Sequence, residues 1–201
     1  MNMPPAFTRL VLVLLMGLSL GSCGRQAEHG PPPLQGAALG GPFALVDQDG
    51  RPTTDKSFAG RYRAVYFGYS FCPDVCPTTL QVLMQGYRGF AAASPAGAAR
   101  LVPIFITVDP ERDTSAVLKS YVSAFGPQLV GLTGSPAAIG AAAREYGVYY
   151  HRQVAAAGAS AYLVDHSSQV ILFGPDGAPI ALVPTDQGAK AVADIFGRWV
   201  H

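Results

Sequence analysis

Two cysteines four residues apart, Cys72 and Cys76, stand in the stretch Tyr66-Phe67-Gly68-Tyr69-Ser70-Phe71-Cys72-Pro73-Asp74-Val75-Cys76-Pro77. The stretch reads as the end of a buried strand, a turn and the start of a helix. On a helix, positions i and i+4 share a face. Two thiols so placed can close a disulfide or grip one soft metal ion. A buried pair of small apolar residues is the plainer alternative. Against it, a proline follows each cysteine and the pair sits where a helix begins. The unpaired N–H groups of a helix start favour negative charge, and so favour thiolates. Spacing alone leaves disulfide and metal equally open.

The third cysteine, Cys23, lies near the N-terminus. Arg9 precedes an apolar run, Leu10 to Leu20, that is short for a membrane-spanning helix. It ends in Leu20-Gly21-Ser22-Cys23, which looks like a bacterial lipobox. Residues 1–22 are therefore expected to be a lipoprotein signal peptide, with lipidation at Cys23. Residues 23–41, rich in glycine, proline and alanine, read as a flexible tether, and 42–201 as the folded domain. The location expected from this leader is a bacterial cell envelope, with the domain facing the periplasm. Removing Cys23 from the count leaves Cys72 and Cys76 as a closed pair, too few for a disulfide-built scaffold. The net charge is +1 and only 13% of residues are charged, with no basic stripe, which argues against nucleic acid as a partner.

The elements that must position the pair follow from periodicity. Ala64 to Tyr69 and Leu101 to Val108 are apolar, β-rich runs that read as central strands, and Phe43 to Val46 as a short hairpin strand. A helix through Pro77 carries Leu80, Leu83, Met84 and Tyr87 at spacings of three and four. Asp113 or Thr114 is placed to cap a helix bearing Leu118, Val122 and Phe125. Ser135-Pro136 opens an alanine-rich helix. Val148 to Gln153 and Tyr162 to Asp165 are candidate strands. Gln169 to Phe173 and Ile180 to Val183 flank a Pro-Asp-Gly turn as a hairpin, and Ala189 to Trp199 is a last helix. This is an α/β layout: a mostly parallel central sheet flanked by helices, with an antiparallel edge hairpin. A thiol pair at a strand-to-helix junction suits its thioredoxin-like version.

The same residues resemble the Sco/SenC family. The cysteine stretch is similar to its signature, and Val108-Asp109-Pro110-Glu111-Arg112-Asp113-Thr114 to its second motif. Leu132-Thr133-Gly134, Tyr146-Gly147-Val148-Tyr149-Tyr150 and Val164-Asp165-His166-Ser167 follow in the family's order. Ser70 departs from the threonine common there. The resemblance implies a thioredoxin-like fold and copper bound by Cys72, Cys76 and His166. It also implies a role in maturing the binuclear copper centre of cytochrome c oxidase, with a copper-receiving oxidase subunit as partner. Soft Cu(I) is selected by sulfur, imidazole also serves Cu(II), and the thiols must be deprotonated to bind.

A rival reading is a thiol–disulfide reductase that keeps the oxidase's copper-binding cysteines reduced. The segment Asp165-His166-Ser167-Ser168 carries no proline, whereas thioredoxin-like reductases place a proline opposite their cysteines, and this favours metal. Three aspartates are candidates for tuning the site. Asp165 is placed either to orient the imidazole or, by strand alternation, to point away from it. Asp109 is expected at a strand end near the site, and Asp74 lies between the cysteines. His151 and His201 read as surface residues.

Overall fold

The run after Arg61, apolar except for Arg63, forms a strand whose every residue is buried, Tyr62–Gly68 (β3). In the computed structural model, which describes residues 30–153 and 162–201, it lies within a seven-stranded sheet. The other strands are Ala44–Asp47 (β1), Pro52–Thr54 (β2), Leu101–Thr107 (β4), Val130–Thr133 (β5), Val170–Phe173 (β8) and Pro179–Val183 (β9). Their order is β2-β1-β5-β4-β3-β8-β9. The centre, β5-β4-β3, is parallel. The β1–β2 hairpin flanks one side and β8–β9 the other, both antiparallel to it. Tyr150–Arg152 (β6) and Val164–His166 (β7) pair in a separate two-stranded sheet. The expected α/β layout is present, with antiparallel hairpins at both edges.

Alternation along β3 divides its side chains between two layers. Tyr66 packs on Phe105, and Phe105 on Tyr121 of helix Ser115–Ser123 (α3). The long helix Val75–Ala93 (α1), which is followed by the short Pro95–Ala99 (α2), covers this face with Ala189–Trp199 (α5). Gly86 lets α1 and α5 close up, since a Cβ there would lie 2.4 Å from the Val192 side chain. On the opposite face Phe67 meets Tyr146, at the end of Pro136–Glu145 (α4), and Tyr146 meets Phe173 and Phe43.

Two local expectations change. Thr114, not Asp113, caps α3, accepting the Val117 N–H. Asp113 is fully buried and serves the site instead. The stretch before residue 42, read as tether, is packed on the domain from Pro31. Leu34 N–H donates to Ile180 O and Gly40 N–H to Glu145 O, while Leu34 and Leu39 rest on the core. The compact unit accordingly runs from Pro31 to His201. The leader and Cys23 lie outside the described residues, as does the alanine-rich stretch 154–161. Among the described residues no helix is long and apolar enough to cross a membrane.

Candidate metal centre

Helix α1 begins at Val75, two residues before Pro77, with Asp74 as the residue preceding its first turn. Cys76 is thus in the first helical turn and Cys72 in the loop ahead of it. The helix start donates its Cys76 N–H to Cys72 Sγ at 3.4 Å, so the helix end faces the first thiol. Cys76 points inward and is fully buried, while Cys72 is 9% exposed. Gly68 makes room for the second thiol: a Cβ there would lie 3.0 Å from Cys76 Sγ and 2.9 Å from the Phe105 ring. Both cysteines are free.

His166 closes the group from β7. Its Nε2 lies 3.1 Å from Cys76 Sγ, and its Nδ1 lies 2.9 Å from Ser167 O. A carbonyl only accepts, so Nδ1 donates a proton to it, and Nε2 is the ring nitrogen turned toward the sulfur. Tyr69 and Tyr66 hold the ring edge-on, at centroid distances of 5.9 and 6.1 Å. Cys72, Cys76 and His166 each offer one ligand atom, and these atoms all lie within 4.8 Å of one another. Two sulfurs and one imidazole nitrogen, with both thiols unbridged, fit a soft ion such as Cu(I). Cys72 and His166 line a cavity of ≈ 270 Å³ that also meets Asp74 and Asp165.

Burial pushes the Cys76 thiol up to about 12, above its ordinary value of 9.0. The nearby Tyr69 backbone and Tyr66 hydroxyl oppose the rise, and neighbouring Cys72 adds to it. Burial also drives the Tyr66 hydroxyl far above its usual range, with the charge of Cys76 as the next cause. The inner thiol is therefore neutral in the metal-free protein, and a metal must displace its proton.

The three aspartates divide. Asp165 is turned away: its carboxylate accepts from Gln153 Nε2 at 2.8 Å, and the Ser167 carbonyl takes the imidazole proton. Alternation on β7 puts adjacent side chains on opposite faces, which explains this. Asp109 is buried but does not reach the ligand atoms. It pairs with Arg112 and accepts the Tyr162 hydroxyl at 2.7 Å. Asp74 is exposed at the cavity mouth and its side chain caps nothing.

Two residues that sequence reasoning did not place in the site organise it. Asp113 accepts the Ser70 N–H at 2.9 Å, the Ser70 hydroxyl and the Thr107 hydroxyl at 2.6 Å, pinning the cysteine loop to the end of β4. Serine at 70 supplies the same donor that threonine would. Arg112 donates to Tyr162 O and stacks on the rings of Tyr162, Phe71 and Tyr69 at 3.7, 4.9 and 5.6 Å. It joins the cysteine loop to the histidine strands. The only sequence signal was their place in the Asp-Pro-Glu-Arg-Asp-Thr run, which names no contact.

A family model described as SCO1/SenC matches residues 31–201. The chain belongs to the SCO1/SenC family. Among curated relatives, the mitochondrial SCO2 homolog of Bos taurus is 39% identical, over 97% of this chain and 76% of its own length. The mitochondrial SCO1 homolog 1 of Arabidopsis thaliana is 44% identical, over 70% of this chain but only 40% of that longer protein. Among solved structures, that of Bradyrhizobium japonicum ScoI with copper bound superposes with a TM-score of 0.73 at 38% identity, covering 81% of this chain and 99% of that one. The thioredoxin-like α/β fold expected for the family is the one observed. One expectation is corrected: these curated relatives are mitochondrial proteins, so a bacterial cell envelope finds no support in them.

Proposed function

We propose that this protein binds one copper ion through Cys72, Cys76 and His166 and hands it to a copper-receiving subunit during cytochrome c oxidase assembly. The observation that carries the reading is the convergence of three soft or borderline donors from two distant segments to within 4.8 Å. Here copper is cargo. Three protein ligands leave a side open toward the cavity, which transfer to another protein requires. The surroundings support a protein recipient. Phe71, Val75, Tyr149 and Leu163 are four of the five large apolar side chains exposed among the described residues. Phe71, Val75 and Leu163 belong to the segments that carry the ligands, and Tyr149 O accepts the Ser167 N–H next to His166; an apolar rim of this kind is suited to a protein partner.

Titration of the reduced protein with Cu(I) or Cu(II), read by absorption and magnetic resonance, tests the assignment. One copper per domain is expected, with His166→Ala binding far more weakly. A reduced protein that binds no copper, or a His166→Ala variant that binds as tightly as wild type, overturns the site.

A second reading, thiol–disulfide reduction of the same oxidase subunit, draws on one observation. Cys72 is the more accessible thiol and receives a helix-start N–H, as an attacking sulfur would. It requires both cysteines but not His166. Reduction of a disulfide-bonded partner by His166→Ala at the wild-type rate separates it from delivery.

A further inference from the structure

Arg63 lies at the opposite end of β3 from the thiols, roughly 17 Å away at 3.3–3.4 Å per residue. It is only 6% exposed. An arginine is never neutral, and a buried charge costs several kcal/mol unless it is paired. Yet among the described residues no carboxylate is within ion-pair reach of Arg63. Its Nε is buried without a hydrogen-bond partner. Its guanidinium lies against the Phe173 ring, 5.6 Å from Cζ, and against Gly177, where a Cβ would lie 3.0 Å from Nη2. The hydroxyl of Tyr146, on the same face of the sheet, is buried and unpartnered as well, and Arg63 is among the charges that act on it.

Arg63 and Gly177 line a cavity of ≈ 300 Å³ roofed by Gly40 and Gly41 and edged by Lys56, Asp55 and Asp176. Neither acid is within ion-pair reach of the guanidinium. Asp55 accepts the Phe43 N–H at 3.4 Å, and Asp176 accepts the Ala178 N–H at 3.0 Å within its own turn. With two acids and two bases on the wall, the lining is neutral overall. Such a site suits a single negative charge better than a dianion. A carboxylate matches the planar fork of a guanidinium with two parallel hydrogen bonds.

We propose that this cavity is a binding site for a small monocarboxylate, held by Arg63 and assisted by Lys56, and separate from the metal centre. The site lies where the segment from Pro31 to Gly41 joins the domain, so its ligand would also fasten that segment down.

Acetate is the probe, titrated into the full chain against chloride at constant ionic strength. The readout is NMR of the Arg63 Nε–H and of the Gly41 and Gly177 amides. Saturable shifts with acetate are expected, with chloride giving none. In Arg63→Gln the acetate affinity should fall at least tenfold at the two amides, and in Lys56→Gln severalfold. Copper binding should be unchanged in both variants, which certifies their fold. Equal responses to acetate and chloride, or undiminished acetate binding in Arg63→Gln, would overturn the site. So would no shift at all, which would leave the cavity to water.

Discussion

The two halves of the proposed metal centre are built differently. The cysteine half belongs to the main sheet. Its loop leaves β3 and enters α1 directly, Cys76 is fully buried against Gly68, and Asp113 ties the loop to β4 with three hydrogen bonds. The histidine half hangs on two three-residue strands that pair only with each other. Side chains fasten it: Ser167 Oγ to the Tyr149 N–H, Tyr69 OH to the Val164 N–H, and Arg112 to Tyr162. One half is held by sheet register and the other by a handful of polar and ring contacts. The centre is thus a fixed thiol pair and a separately mounted imidazole arm.

Breaking the fixed half should cost most. Asp113→Ala removes the acceptor from three buried or part-buried donors at once. Unsatisfied buried groups cost about 1–3 kcal/mol each, more beside a charge, and partial rehydration recovers some of it. A net loss of about 2–4 kcal/mol is expected in chemical denaturation of the metal-free protein, together with weaker copper binding. Asp113→Asn, which keeps part of the acceptor set, should lose less. If Asp113→Ala denatures within experimental error of wild type, the loop is held by something else.

Loosening the arm should act on affinity more than on stability. Arg112→Ala leaves the cysteine loop's tie to Asp113 in place but removes the stack on Phe71 and Tyr69 and one partner of the buried Asp109, which keeps the Tyr162 hydroxyl at 2.7 Å and Arg152 at 4.0 Å. Groups that orient metal ligands at one remove are worth about 10–100-fold in affinity, and that loss is expected in a competition titration. Amide exchange should quicken in β6 and β7 while β3 and β4 stay protected. Arg112→Ala with wild-type affinity would mean that the two strands need no arginine clamp.

The contrast also explains what could be read in the chain. The cysteine half is contiguous, and its strand–turn–helix pattern follows from local periodicity, so the position of both thiols was legible. Even there, the helix start at Val75 and the close approach at Gly68 depend on tertiary packing. His166 is ninety positions beyond Cys76, and only the resemblance to a known family joined them. The contacts of Asp113 were hidden because an aspartate ahead of a helix looks like a cap, and Thr114 beside it takes that duty. Asp165 was ambiguous by pattern, and strand alternation resolved it away from the imidazole. Residues 31–41 have a tether's composition, yet Leu34 and Leu39 are enough to dock them.

The smallest effect probes the fixed half through its proton. The Cys76 thiol stands at about 12 in the folded protein against an ordinary 9.0, because it is buried. Below pH 9 both folded and unfolded chains keep this proton, and its contribution to stability is fully present. Between pH 9 and 12 the unfolded chain releases the proton while the folded chain retains it, so stability falls as pH rises. The slope from this group alone is about 1.4 kcal/mol per pH unit, so roughly that much is lost by pH 10. The buried hydroxyls of Tyr66 and Tyr121, also raised by burial, add to any alkaline loss. The useful quantity is therefore wild type minus Cys76→Ser, measured by denaturation of the metal-free protein. Copper has the opposite dependence: each unit of pH removes a tenfold proton penalty at Cys76, so affinity should climb by at least one log unit between pH 7 and 8. An alkaline stability loss identical in Cys76→Ser and wild type would show that the inner thiol is not held neutral by its burial. The fixed half would then have no proton to exchange for the metal.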